Sequence, residues 1–203
     1  MAVNTISKVA GVTLSGSTNN QVVTVTGGNS LTGESNLTFD GSTLTVTGDI
    51  SSSGTITSTA LPAFRVSNNT TRSNVTGDNT TYTIPFENED FDTGSDYNTS
   101  TGVFTAPVAG VYHFNAHVLL TGQNSFGGGW VQLILNCSNG KNAFQQATSF
   151  VTLESYYVYG TVYMDAADTA KIDVLGQTGT KTISVHSSAP SYAYTQFSGH
   201  LVG

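Results

Sequence analysis

Residues Phe91 to Leu120 read FDTGSDYNTSTGVFTAPVAGVYHFNAHVLL. The last ten alternate with period two, which puts Tyr112, Phe114, Ala116, Val118 and Leu120 on one side of an extended chain. Val111, His113, Asn115, His117 and Leu119 share the other side. The first set is the core face of a strand. The second mixes polar and apolar side chains, as a face meeting a neighbouring subunit does. Just upstream, the run from Ser100 to Pro107 (STGVFTAP) reads as the turn that feeds this strand.

The rest of the chain has the same character. Only 9% of its residues are charged, 22 are glycine, and Thr, Ser, Asn and Val are abundant, a composition that favours strands and turns. No window sustains apolar residues at helical spacing, whereas two-residue alternation recurs, so the expected class is all-β.

Four fragments in order carry a family resemblance. STGVFTAP leads into Gly110-Val111-Tyr112-His113-Phe114, and the end of the chain, Tyr194 to Gly203, reads YTQFSGHLVG. Between them lie Trp130 to Asn136 (WVQLILN) before a Cys137-Ser138-Asn139-Gly140 turn, and Tyr163-Met164 with Asp168 before Lys171-Ile172-Asp173-Val174. Together they resemble the signature of C1q/TNF-like domains, with one departure: Ala167 stands where that signature usually has glycine. The resemblance implies a jelly-roll β-sandwich that works as a trimer and binds or builds rather than catalyses. Fold alone leaves the partner open.

Residues 1–60 differ from residues 61–203. From Leu37 the text runs LTFDGST, LTVTGD, ISSSGT, ITSTA, so that Leu37, Leu44, Ile50 and Ile56 recur every six or seven residues, with Asp40-Gly41, Gly48-Asp49 and Ser53-Gly54 as turn signals. Ordering each residue costs about 1 to 2 kcal/mol of backbone entropy. Burying a Leu or Ile returns about 1.5 to 3 kcal/mol, so one copy of so thin a repeat cannot hold itself. Three chains sharing their apolar edges can, which predicts a trimeric β-stalk ending at a Leu61-Pro62-Ala63 neck, with the first head strand at Phe64 to Ser67. This stretch also resembles, in compositional style, the stalks of tailed-phage fibres and other virion appendages.

Within the head, Tyr156 to Met164 places Tyr157, Tyr159, Thr161 and Tyr163 on one side. Tyrosines bury large areas yet keep a polar tip, and the resemblance implies subunits that meet through aromatic faces. Tyr157, Tyr159, Tyr163 and His113 in the head, with Leu37, Leu44, Ile50 and Ile56 in the stalk, are therefore the expected trimer-interface residues. A sugar-stacking platform is the alternative use of the tyrosines. His113 and His117 lie about 13 Å apart on a strand, too far to share an ion within one chain. Asp90, Asp92 and Asp96 mimic a calcium loop, but Ser95 and Thr101 replace its turn Gly and bidentate Glu, so the run from Glu87 to Asp96 reads as a solvated loop. The single cysteine, Cys137, reads as a buried inert thiol. No metal and no cofactor are expected.

The exclusions narrow the function. A formal net charge of -7, with six Lys and Arg spread singly, gives no stripe for phosphates and argues against nucleic acid. The first residues, MAVNTISKVAGVTLSG, show no apolar signal region, and no stretch approaches the ~20 apolar residues of a membrane helix. Nucleophile-elbow, phosphate-loop, H-E-x-x-H and CxxC patterns are all missing, so no catalytic residue is assigned and no enzyme is expected. The expected protein is a homotrimeric phage virion component, assembled in the host cytoplasm. Its N-terminal segment would hold a capsid or tail protein and its knob would reach a host surface or glycan. A capsid decoration protein and a bacterial surface adhesin are the rival readings.

Overall fold

The computed structural model describes residues 13–15, 20–27, 30–56, 58, 61–122, 129–148, 153–188 and 194–202, and among them every regular element is a strand. Residues 1–12, the start of the expected anchoring segment and stalk of residues 1–60, lie outside the described residues. The chain divides into two units, Met1–Thr57 and Ser58–Gly203.

The first unit holds β1 (Thr13–Ser15), β2 (Gln21–Gly27), β3 (Ser30–Phe39) and β4 (Leu44–Val46). The long strand β3 organises them: β1 pairs with it in parallel, and β2 and β4 pair antiparallel. Its turn into β4 is chemically explicit, because the Asp40 carboxylate accepts hydrogen bonds from the Ser42 and Thr43 backbone amides at 2.9 and 2.7 Å. The Thr43 and Ser42 amides hold that carboxyl below its ordinary range.

The expected train of short strands is only partly present. Leu37 sits inside the ten-residue β3 and Leu44 opens β4, but no strand follows between residues 47 and 56, where Ile50 and Ile56 lie. A segment with one apolar side chain and no partner ladder within its own subunit gains too little to order it as a strand. Leu44, Ile50 and Ile56 are 59%, 65% and 69% exposed in the single chain.

The second unit is a sandwich of β5 (Ala63–Ser67), β6 (Arg72–Thr76), β7 (Asp78–Thr83), β8 (Asn88–Asp92), β9 (Tyr97–Asn98), β10 (Val103–Thr105), β11 (Gly110–Thr121), β12 (Trp130–Cys137), β13 (Ala143–Ala147), β14 (Leu153–Met164), β15 (Thr169–Gln177), β16 (Ile183–Val185) and β17 (Gln196–Leu201). One sheet runs β13-β12-β15-β10-β9. The other runs β6-β16-β11-β17-β5-β8, with β14 on the free side of β11. Connections that leave one sheet and return in the other give it jelly-roll character.

Alternation builds the core. All five residues assigned to the inner face of β11 are buried, and so are Val131, Leu133 and Leu135 on β12 and Ile172 and Val174 on β15. At the centre Phe64 stacks on Phe104 at 5.0 Å and meets Phe197 edge-on at 5.0 Å, with Phe114 and Tyr112 closing the group. This cluster explains the FSG text of the last strand. A Cβ at Gly199 would lie 2.5 Å from Phe114 Cδ1 and 2.8 Å from Phe64 Cε1, so only glycine lets the rings close over β17. Gly102 in STGVF has φ +76°, and a side chain there would run into the Ile84 carbonyl.

One sequence expectation changes here. The acidic run is not all solvated loop: Asn88–Asp92 forms the edge strand β8, paired antiparallel with β5, and charged side chains suit an edge that must resist further pairing. Ala167 lies at φ +73° in the Asp165–Asp168 turn, a conformation that favours the glycine it replaces. Cys137 is buried, and burial pushes its thiol up to about 11, where it stays protonated and unreactive at neutral pH.

Candidate functional site

The seven-stranded sheet has one face in the core and one outward, and register fixes what the outward face carries. On β14, Tyr156, Val158, Val162 and Met164 turn inward and are buried. Tyr157, Tyr159 and Tyr163 turn outward and are 52%, 68% and 60% exposed. Their cross-strand neighbours on β11 are His117, Asn115 and Val111, and Thr161 stands opposite His113. On the other side of β11, β17 aligns His200 with His113, Ser198 with Asn115 and Gln196 with His117. Beyond that, β5 aligns Arg65 with Ser198, and β8 places the exposed Phe91 opposite Arg65.

The result is a broad surface of aromatic and imidazole rings with few charges. His117 stacks on Tyr157 with centroids 4.4 Å apart and planes 10° from parallel. Its Nε2 is buried with no hydrogen-bond partner, and burial holds the imidazole below its ordinary pKa. His113 shares a hydrogen bond with Thr161 Oγ1 at 3.0 Å, and its ring lies 5.7 Å from that of His200. Arg65 donates to Gln196 Oε1 at 2.9 Å and pairs with Asp90 at 3.3 Å. Large rings with polar tips and few ions are the make-up of a protein contact surface.

Four of the eight sequence-assigned residues, Tyr157, Tyr159, Tyr163 and His113, thus fall on one outward face. Sequence reading missed Arg65 and His200 there. Arg65 was legible, since it alternates with the core residues Phe64 and Val66. His200 required the register of β17 on β11, which no local pattern reveals.

The other four lie in the first unit, where Leu37 pairs with Val46 and Phe39 with Leu44 across the β3–β4 hairpin. Phe39, Leu44 and Val46 are exposed and Leu37 is half-buried, so this hairpin presents an apolar face. Phe39 and Val46, missed in the sequence, follow from the same alternation as Leu37 and Leu44.

Backbone amides brace the acidic segment. Asp92 accepts from the Tyr97 amide at 2.8 Å and from the Gly94 amide at 3.3 Å. Burial, and then the neighbouring Asp92, raise the pKa of Asp96. Among the described residues, no three His, Cys, Asp or Glu side chains come together in a way that would hold a metal.

The C1q domain family model matches residues 63–202. Solved structures similar to the chain include the globular domain of zebrafish complement 1qA, at 18% identity, covering 70% of this chain and 98% of that one, with a TM-score of 0.49. Murine APRIL is similar at 10% identity, with 70% and 99% coverage and a TM-score of 0.48. The Eiger TNF of S. frugiperda follows at 12%, with 70% and 93% coverage and a TM-score of 0.46. No curated protein matches the chain significantly.

Proposed function

The chain belongs to the C1q domain family, and on that premise we propose that it works as a homotrimer whose head units meet through the outward face of the seven-stranded sheet. The observation that carries this reading is the exposure of Tyr157 and Tyr159 beside the His117 stack, on a sheet whose other side is already a complete core. Exposed aromatic area of this kind costs free energy in water and contributes most when a partner covers it. Tyr163 and His113 lie further along the same face, beside that contact.

The first unit serves as a spacer in this reading. Its exposed Leu44, Phe39 and Val46 gain burial against further copies, and Ile50 and Ile56 extend the same need. With the fibre-like style of residues 37–58, this supports a virion appendage: the N-terminal segment holds a capsid or tail protein, the spacer projects, and the knob contacts a host surface. Three linked knobs gain avidity from weak single contacts, which requires no catalytic group.

Light scattering tests the assembly. The wild-type mass should be three times the 21.2 kDa chain, and Tyr157→Glu/Tyr159→Glu should shift the chain toward single copies on dilution with its head fold intact. A wild-type monomer at micromolar concentration overturns the reading. Imaging of labelled particles tests the location: label at fibre tips supports the appendage, whereas label spread at threefold positions of a shell assigns the same trimer to capsid decoration.

A further inference from the structure

A surface cavity of about 370 Å³ opens in the head beside the end of β14, lined by Asn139, Lys141, Thr161, Tyr163, Asp165 and Asp168 among others. We propose that it is a binding site for a neutral sugar ring; the proposal rests on the surface-attachment reading above and names the chemistry that would be recognised.

The floor of the cavity is built from two turns locked to each other. The Asp168 carboxylate accepts from Ser138 Oγ at 2.9 Å, from the Asp165 amide at 3.0 Å and from Asn139 Nδ2 at 3.4 Å. Those bonds, the Asp165 amide first, keep its carboxyl below the ordinary range. Asn139 also donates to the Tyr163 carbonyl at 2.9 Å and accepts from the Lys141 amide at 3.1 Å. Asn139 and Asp168 therefore hold the walls, and a ligand meets a surface that needs no reordering.

Recognition falls to the groups left over. Among the described residues the Lys141 ammonium and the Asp165 carboxylate form no ion pair or side-chain hydrogen bond. One donates and the other accepts, so together they disfavour a purely anionic or purely cationic ligand. A hydroxyl group does both, and adjacent hydroxyls on a sugar ring satisfy a donor and an acceptor at once. Tyr163, 60% exposed, adds a flat apolar surface for the C–H side of the ring and a phenol tip for one more hydrogen bond. The volume lies within the range of about 300 to 1,000 Å³ that small-molecule sites occupy. Tyr163 stands at the far end of the tyrosine stripe from Tyr157, next to the cavity, so it can serve a ligand while Tyr157 and Tyr159 serve the subunit contact.

The test is saturation-transfer NMR on the full-length protein with free glucose, galactose, mannose, N-acetylglucosamine and N-acetylgalactosamine at millimolar concentration. At least one sugar should receive transfer. Asp165→Asn and Lys141→Ala should each weaken it at least fivefold while light-scattering mass and melting temperature stay unchanged, and Tyr163→Leu should abolish it. Transfer to none of the sugars, or equal transfer in all variants, overturns the proposal. The mass separates the two readings: a trimer that binds no sugar removes the cavity assignment alone, whereas a monomer that binds sugar as described keeps the cavity and removes the trimer.

Discussion

The two units of this chain treat similar apolar residues in opposite ways. In the head, alternation is answered within one subunit: the inner residues of β11 meet β12 and β15 across the sandwich and disappear from solvent. In the first unit, Phe39, Leu44 and Val46 alternate just as clearly, yet among the described residues no second layer covers the four-stranded sheet and they stay exposed in the single chain. A hydrophobic pattern thus specifies which residues seek burial, but the partner that buries them is set by architecture. The head contains its partner, and the described residues of the first unit do not supply one.

Truncating one residue on each side measures the contrast. Phe114→Ala removes a ring that touches Phe64, Phe104 and Phe197 and should destabilise the head by about 3 to 5 kcal/mol in denaturant unfolding. Leu44→Ala, 59% exposed, should cost less than about 0.5 kcal/mol if the first unit stays single. A cost of about 2 kcal/mol or more per chain, concentration-dependent, would mean that other copies bury Leu44. Equal small effects at both positions would break the comparison.

Gly199→Ala probes the head from the opposite direction. The added methyl has nowhere to go between Phe114 and Phe64 and should cost about 1 to 3 kcal/mol, read as a lower urea midpoint with unchanged m-value. An undiminished midpoint would mean that the ring cluster is looser than its distances indicate.

These residues also show what the text of the sequence contains. The strand at Val111 to Leu120 was legible because a strand buried on one side prints its period directly, and the observed β11 extends it by one residue at each end. Gly199 and Gly102 were legible as parts of motifs, while their reason, ring closure and a left-handed turn, appears only in three dimensions. The strand Asn88–Asp92 was not legible, since four acidic residues in the Glu87–Asp92 run mask an extended edge whose pairing comes from β5. Ile50 and Ile56 marked a repeat without marking a strand, because one apolar residue per turn says nothing of what it pairs with. On the tyrosine face, the side of β14 was readable from alternation, but the company of His200 and Arg65 depends on strand order.

A smaller gain is expected at the β14–β15 turn. Ala167 holds a positive φ that costs an L-residue about 1 to 2 kcal/mol, partly offset in glycine by a more flexible unfolded chain. Ala167→Gly should therefore stabilise the head by up to about 1 kcal/mol, seen as a rise in melting temperature. A fall would show that the Asp165–Asp168 turn depends on the methyl group.

The smallest effect lies at the edge between the head's closed core and its open face. His117 stacks on Tyr157 with Nε2 buried and unpaired, and burial depresses its folded pKa below the ordinary 6.5. At pH 7.5 the imidazole is neutral in both folded and unfolded chains and contributes no pH dependence. As pH falls through about 6.5, the unfolded imidazole takes up a proton first, while the folded one resists until lower pH, so stability must decline with acidification. The melting temperature of the wild-type head should drop between pH 7.5 and 5.5 by more than that of His117→Phe, which keeps a ring against Tyr157 and removes the titration. Because His113, His200, His186 and all carboxylates are the same in both proteins, the difference between the two drops isolates His117. Equal drops would mean that solvent reaches Nε2, and that this part of the face is wetter than its stacking implies.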